Sequence, residues 1–520
     1  MPNRSPDELF QLIHTLEKAE KRNFKLFVRR NASSDEMKII QLFDAMERMD
    51  HYDEDLLLRR HPEIRKAQLS NLKAHLYRQI LSSLRIMRDE ENIDIRLHEQ
   101  FDHARILYNK GLYQQSLKVL SRIKELARTY HQITFWLQAL VFEKKIESLH
   151  ITRSFEDRAE QLSREVEELD DRLVVIGRLS NLALQLYGWY IRSGLTRDPG
   201  EERSVTEFFE AQMPAGAALL DGFYERLYYH QCMTWYGFIR QDLLLYYRSC
   251  QRWVDVFRKE PAMLRVEAPQ YIKGMHNLLH AHFMLRNRDR FLECLTEFEA
   301  FHHSDIAQSN ANLRVQSFVY LYIAKINRHF MEGTFTEGLA LVTEIEERIA
   351  SYEQQLDRHR ILVFYYKIAC LYFGSGNQDK TIVYLNRIIH WKADLRADVQ
   401  CYARLLHLIA HYELGNYEIL ESLIKSVYRF MVRMKNLSVV ERAILEFLQR
   451  SFHKDPRMLK PDFEALRDRL LPYEHDAHER RSFMYLDFVS WLESRIREVP
   501  VQEVIRARYL AAERRAGAGH

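Results

Sequence analysis

Residues 405–430 form a pattern of two helices folded back on each other around a tight turn, and this pattern constrains the fold most. Apolar side chains recur every three or four residues on both sides of Gly415-Asn416, the spacing of an amphipathic helix face. Glycine adopts positive φ readily, so it can close a short turn after a helix. Weaker copies recur along most of the chain. The pattern predicts an all-α solenoid of antiparallel helical hairpins.

The composition favours long helices joined by short connections. The 520 residues include only 16 Gly and 11 Pro, the two residues that most often interrupt helices. We therefore expect helix over about two-thirds of the residues or more, against about one third in ordinary soluble proteins. An array of this kind would be elongated.

Charge and cysteine content exclude several classes of protein. The 76 basic and 73 acidic residues give a formal net charge of +3, a balance that requires no polyanionic partner. The five cysteines form no C-x-x-C pair, so they indicate neither a zinc site nor a disulfide framework. We interpret them as apolar core residues in a reducing compartment. No apolar leader or membrane-length apolar run is present, so we expect a cytoplasmic protein.

Four segments share the helix–turn–helix spacing of the opening example. The glycines of their turns are Gly111, Gly333, Gly376 and Gly415. In the first segment, Ala104, Tyr113 and Ser116 stand where the tetratricopeptide repeat has small and aromatic residues, and all four segments resemble that repeat. The resemblance implies a solenoid that binds proteins or peptides.

The copies depart from the repeat in three ways. They lack its opening tryptophan and closing proline, and Leu420 stands where a small residue is expected. Successive turns lie about 40 residues apart rather than about 34, a period that overlaps with HEAT and armadillo arrays. Small residues at Ser116, Gly338 and Thr381 are still predicted to let paired helices approach closely.

The chain divides into four regions by pattern. Residues 1–90 form an N-terminal helical module, which resembles the opening of uncharacterised bacterial helical-repeat proteins, a resemblance that implies no function. Residues 91–435 carry the repeats, with a seam or an inserted helix near 194–215. Between 130 and 300 the motif decays, and further turns are predicted near 153–154, 193–194, 241–242 and 287–288. Residues 436–513 are predicted to form capping helices, including a helix from about 475 to 499. Residues 514–520 are predicted to be a disordered tail.

The N-terminal module raises an alternative function. Residues 59–88 contain eight basic residues and one acidic residue. A short helix followed by this basic helix is compatible with a helix-turn-helix on DNA, in a transcription regulator whose repeats act as a sensor. Its contacts would come from Lys73, Arg78, Arg85 and Arg88. The other interpretation is a solvated helix face, and we expect no specific nucleic-acid binding.

The sequence contains no catalytic or cofactor motif. It lacks a glycine-rich phosphate loop, a G-x-S-x-G elbow and an H-E-x-x-H helix. His475 and His478 have helical spacing, but no further ligand accompanies them, so no metal site is predicted. We expect a non-catalytic protein without cofactors; an enzyme would require a site assembled only in three dimensions.

The repeat frame predicts which side chains line the concave face. They are mostly aromatic: Phe101, Tyr108, Tyr320, Asn327, Phe330, Tyr366, Phe373, Tyr402 and Tyr412. These positions carry none of the lysines with which similar arrays hold a peptide's terminal carboxylate. An apolar groove with hydroxyl tips would suit an extended or proline-containing peptide, unless the rings pack on one another.

A second group of aromatic residues, between 224 and 253, is interpreted either as core or as a binding wall. We predict a scaffold that binds another protein or peptide, and neither a nucleic acid nor a membrane.

Overall fold

Helix dominates the chain. In the computed structural model 83% of the described residues are helical, so the prediction of an all-α protein with helix over two-thirds or more is confirmed. The structure describes residues 7–29, 34–62, 64–87, 92–150, 157–216, 220–352, 355–391, 396–434, 436–451, 453–454, 458–476, 478–479, 482–483 and 486–517. Within these ranges there is no β-strand.

Contacts between residues divide the chain into two compact units, and the N-terminal unit comprises residues 1–170. Its helices are α1 (Glu8–Thr15), α2 (Lys18–Arg29), α3 (Ser34–Glu47), α4 (Glu54–Arg60), α5 (Lys66–Met87), α6 (Ile93–Asn109), α7 (Tyr113–Thr129), α8 (Ile133–His150) and the first part of α9 (Arg158–Ser193). The unit has two hydrophobic cores. One buries Phe24, Phe43 and Leu76, and the other buries Leu120 and Ile123.

The C-terminal unit comprises residues 171–520. After the rest of α9, its helices are α10 (Pro199–Gln212), α11 (Phe223–Ile239), α12 (Leu243–Lys259), α13 (Met263–Val266), α14 (Ala268–Met284), α15 (Arg288–His302), α16 (Asp305–Gln308), α17 (Ala311–Glu332), α18 (Phe335–Gly338), α19 (Ala340–Ser351), α20 (Arg358–Gly374), α21 (Gln378–Ile389), α22 (Ala397–Glu413), α23 (Tyr417–Arg433), α24 (Val439–Ser451), α25 (Lys460–Leu470), α26 (Phe488–Arg497) and α27 (Val501–Gly517). A 3-10 helix, Leu471–Glu474, follows α25. One hydrophobic core extends through the unit, and consecutive helices such as α11–α12, α20–α21 and α22–α23 pack on each other.

The turns between paired helices use the predicted residues. All four turn glycines have positive φ: Gly111, Gly333, Gly376 and Gly415. Where no glycine is present, Gln241 and Arg286 adopt φ of 60° and 53°, at the turns that the sequence predicts near 241 and 287. A non-glycine residue can adopt this conformation at an energetic cost. These copies therefore keep the hairpin although they lack the glycine of the motif.

Small residues bring the paired helices together, as predicted. Ser116 Oγ donates a hydrogen bond of 2.8 Å to the carbonyl oxygen of Ala104, twelve residues earlier on the partner helix. Thr381 Oγ1 donates to the carbonyl oxygen of Ala369 across the same interval at 3.4 Å. At Gly338, an added Cβ would lie 3.1 Å from His329 Cβ on the paired helix α17 and 2.8 Å from Leu371 Cδ2 on α20. The close approach therefore depends on these three positions.

Two further segments can be compared with the sequence analysis. The loop-rich stretch near 194–215 contains α10, whose N-terminal backbone is capped by the Asp198 carboxylate. The helix predicted from 475 to 499 begins only at Phe488, where the Asp487 carboxylate caps its N-terminus, and it ends at Arg497. The turn predicted near 153–154 lies outside the described residues.

The C-terminal end also differs. Helix α27 continues to Gly517, into the segment predicted to be a disordered tail, because its alanines have high helix propensity. Residues 518–520 lie outside the described ranges.

Candidate functional site

The C-terminal unit contains a cavity of about 1430 Å³. Most of its lining comes from the end of α9, from the first helices of five successive hairpins (α11, α14, α17, α20 and α22), and from α27. A cavity of this volume exceeds the roughly 300–1,000 Å³ of a typical small-molecule pocket. It is therefore large enough for several residues of a peptide.

Six of the nine predicted groove residues line this one cavity. They are Tyr320, Asn327, Phe330, Tyr366, Phe373 and Tyr402. The structure thus brings together side chains from α17, α20 and α22 that the repeat frame assigned to one face.

The other three predicted residues lie elsewhere. Phe101 is buried in a core of the N-terminal unit, and the Tyr108 hydroxyl lies 3.0 Å from His150 Nε2 in the same unit. Tyr412 is only 4% exposed and packs against Tyr417 and Phe447. These three side chains have packing roles because neighbouring helices cover them.

The aromatic group between 224 and 253 splits between the two roles considered for it. Trp235, Phe238 and Tyr246 line the cavity. In contrast, Tyr236 stacks on Phe209 with ring centroids 3.9 Å apart, and Trp253 is 1% exposed. This segment therefore supplies residues both to the core and to the cavity wall.

Two lysines line the cavity, although none of the predicted groove positions is a lysine. Lys273 on α14 places its Nζ 5.5 Å from the Trp235 ring centroid and 5.4 Å from that of Tyr320. Lys367 on α20 places its Nζ 2.6 Å from Asn327 Oδ1 and 5.3 Å from the Phe330 ring centroid. The repeat frame did not predict either lysine. It assigned about one inward residue to each helical turn, whereas the inward face of a helix includes more positions than that.

Carboxylates in the cavity wall are occupied by arginines. Asp398 pairs with Arg396 at 2.7 Å, and Glu474 pairs with Arg286 at 3.1 Å. Asp357 caps α20 and lies 3.4 Å from Arg360.

In contrast, no ion pair joins Lys273 or Lys367 to a carboxylate in the described part of the chain. These two ammonium groups therefore add uncompensated positive charge to the cavity.

This charge shapes the protonation of neighbouring groups. Burial, and then Lys273, His280, Lys367 and Arg360, hold the pKa of His276 well below its usual value. Burial and the two lysines lower the pKa of His280 to about 4. Both rings are therefore neutral at pH 7. Burial, supplemented by Arg396, lowers the pKa of Lys367 to about 8, which leaves it mostly protonated at pH 7.

One amide in the wall has an unused donor. Asn277 is 4% exposed, lines the cavity, and its Nδ2 has no hydrogen-bond partner. Buried polar groups are nearly always paired, so an unpaired donor at a cavity wall suits a ligand acceptor.

Two of the four basic residues proposed to contact DNA in the alternative function already pair with acidic side chains. The Lys73 ammonium is bonded to the Asp7 carboxylate and to the Tyr52 hydroxyl. Arg85 lies 3.2 Å from Asp102, and the exposed Arg78 donates to its own helix at Ala74. Arg88 lies outside the described residues. The acidic partners reduce the charge that α5 offers to a phosphate backbone.

The chain was compared with known proteins in three ways. No protein-family model, curated protein or solved structure matches the chain.

Among the described helices, none combines the length and apolar character needed to cross a bilayer. Across the described ranges, no three histidine, cysteine or carboxylate side chains gather as a metal site would require. All five cysteines are unpaired and buried, as expected of core residues.

Proposed function

We propose that the protein is a non-catalytic scaffold that holds a peptide segment of another protein in the cavity of its C-terminal unit. The helical hairpins would stack as a tetratricopeptide-like solenoid, with their first helices facing the peptide. The observation that supports this most is the meeting of six predicted groove residues in one cavity.

The chemistry of the wall suits a peptide. Tyrosine rings offer a large apolar surface and one polar tip, and Tyr320 and Tyr366 both line the cavity. The Asn277 amide offers a free donor to a backbone carbonyl. A peptide can use both the ring surface and the amide donor, because it carries apolar side chains and polar backbone carbonyl groups.

The lining favours binding over catalysis. Cys370 is the cysteine of the cavity wall, and burial raises the pKa of its thiol to about 12. A protonated thiol is a poor nucleophile. The role assigned to the wall is therefore recognition.

Peptides selected on the full-length protein from a displayed random library would test the proposal. The affinity of a selected peptide is then measured for Phe330→Ala, which alters the wall. Tyr428→Ala serves as the control, because Tyr428 is 43% exposed on α23 and lies outside the cavity lining.

We expect Phe330→Ala to weaken binding about tenfold or more, as truncation of a buried aromatic contact does, and Tyr428→Ala to leave it unchanged. Selected peptides that bind both variants like the wild type would contradict the proposal.

A further inference from the structure

Three cationic side chains line the same cavity. Lys273 comes from α14, and Arg360 and Lys367 come from α20. Lys273 Nζ and the Arg360 guanidinium lie 5.4 and 5.8 Å from the Tyr320 ring centroid, and the His276 ring stacks on Tyr320 with centroids 4.3 Å apart. Lys367, like the other two cations, acts electrostatically on the His276 ring. Two hairpins thus contribute positive charge to the same part of the cavity.

The fold gives these cations little compensation. Arg360 lies 3.4 Å from Asp357, but the described carboxylates include none that pairs with either lysine. The neighbours of the two lysines are instead ring faces, the Asn327 amide oxygen and the Tyr320 hydroxyl. Cation–π contacts are weaker than an ion pair in a water-poor site, and an unpaired buried charge is costly to the fold. The arrangement is therefore suited to an anion that enters from solution.

Tyr320 shows how strong the local positive field is. Its burial opposes ionisation, yet Lys273 and Arg360 lower the pKa of its phenol below the usual value. A phenol is a weak acid, so charges that favour even its ionised form will attract a carboxylate or phosphate more strongly. The field is also already in place, because the side chains need no rearrangement.

The side chains around Lys273 indicate what the uncharged part of a ligand would be. Tyr187 and Trp235 line the cavity beside Lys273, with ring centroids 5.0 Å apart. Flat apolar groups pack well against such rings. The unpaired Nδ2 of Asn277 lies one helical turn after Lys273 on α14.

We propose that Lys273, Arg360 and Lys367 bind the carboxylate or phosphate group of a small organic anion whose flat ring packs on Tyr187, Trp235 and Tyr320. This site goes beyond peptide binding and does not depend on it. A ligand of this size fills only part of the cavity and leaves room for a peptide.

Isothermal titration calorimetry on the full chain, without peptide, tests the proposal with three ring compounds. Phenyl phosphate carries a phosphate, phenylacetate a carboxylate, and benzyl alcohol no charge. We expect at least one charged compound to bind with Kd below about 1 mM, within the range open to so small a ligand. Benzyl alcohol should bind at least about tenfold more weakly, as the loss of a charge-assisted contact predicts. Comparison of the two charged compounds shows whether the natural ligand is a phosphate or a carboxylate.

Substitutions locate the binding. Lys273→Gln and Lys367→Gln should each weaken binding roughly tenfold to a hundredfold, since each removes a charged hydrogen-bond donor. Lys380→Gln, the same change at an exposed position on α21 outside the cavity lining, should leave binding unchanged.

Failure of both charged compounds to bind, or equal binding to wild type and to both cavity variants, would overturn the proposal. If the variants do not fold, the contrast between charged and neutral compounds on the wild type decides alone.

Discussion

Lys367 donates a hydrogen bond of 2.6 Å to the side-chain oxygen of Asn327, forty residues earlier in the chain. The bond joins α20 to α17 and holds the ammonium group beside the Phe330 ring. Asn327 and Phe330 were expected from the repeat frame, whereas Lys367 was not. The contact therefore connects the predicted groove with its unpredicted positive charge.

Lys367 should make stability depend on alkaline pH. Burial, then Arg396, lowers the pKa of Lys367 from 10.5 to about 8. Between these values the unfolded chain binds more protons than the folded chain, so the Lys367 contribution to the free energy of unfolding rises with pH.

Lys367→Met should abolish that contribution. The measurement is urea unfolding of both proteins between about pH 8 and pH 10. The free energy of the wild type minus that of the variant should increase across this range; a difference independent of pH would contradict the assignment.

Neutral histidines should make the C-terminal unit sensitive to acid. Burial lowers the pKa of His230, His280 and His302 to about 4, with help from nearby cations. Between pH 6.5 and 4 the unfolded chain binds protons that the folded chain does not, so stability falls as pH falls through this window. Each such histidine contributes up to about 1.4 kcal/mol per pH unit.

The variant His280→Asn should reduce this slope. Asparagine keeps a polar partner for the Tyr246 hydroxyl, which lies 3.2 Å from His280 Nδ1. Chemical unfolding at about pH 7 and pH 5 measures the effect. Equal slopes in both proteins would show that His280 does not titrate as described.

Gly333 should tolerate alanine less well than Gly376. Both have positive φ, 68° and 86°, so alanine strains the backbone at either position by roughly 1–2 kcal/mol. At Gly333 the new Cβ would also lie 2.4 Å from the backbone nitrogen of Arg506 on α27, whereas nothing lies within 4 Å at Gly376.

The larger loss of stability in Gly333→Ala would come from displacement of α27. Thermal melting of the two variants provides the comparison. Equal melting temperatures would mean that α27 does not pack against this turn in solution.

The helices were predictable because their signals are local. Gly415 and its counterparts lie at turns that the sequence specifies through backbone conformation, and Ser116 and Thr381 lie where a large side chain would separate two helices. The predicted start near 475 was wrong: residues 475–481 are polar apart from Ala477, and α26 begins at Phe488 after the Asp487 cap.

The charges of the site were not predictable in the same way. Lys273 lies on α14, whose turn uses Arg286 in place of a glycine, so the frame could not be positioned there. Lys367 follows the predicted Tyr366 directly, and the repeat frame assigned Tyr366 but not Lys367 to the inward face. Whether a lysine lacks an acidic partner depends on packing between hairpins, and the periodicity of one helix carries no information about that.

Truncating Phe330 and Tyr412 should separate binding from stability. Tyr412 is 4% exposed and outside the cavity lining, so Tyr412→Ala should cost about 3–5 kcal/mol of stability. Phe330 is half-buried and faces the cavity, so Phe330→Ala should cost less and should weaken peptide binding. Urea unfolding and peptide titration of both variants give the four values. Equal stability losses would show that Phe330 serves the core.

Photocrosslinking tests most directly whether the cavity is the binding site. The photoreactive residue p-benzoylphenylalanine replaces Phe330 in the wall or, as the control, the exposed Tyr428 on α23. Each protein is irradiated with a peptide selected on the wild type, and the products are analysed by mass spectrometry. We expect covalent attachment from position 330 and none from position 428. Attachment from 428 without attachment from 330 would contradict the central claim that the cavity holds the peptide.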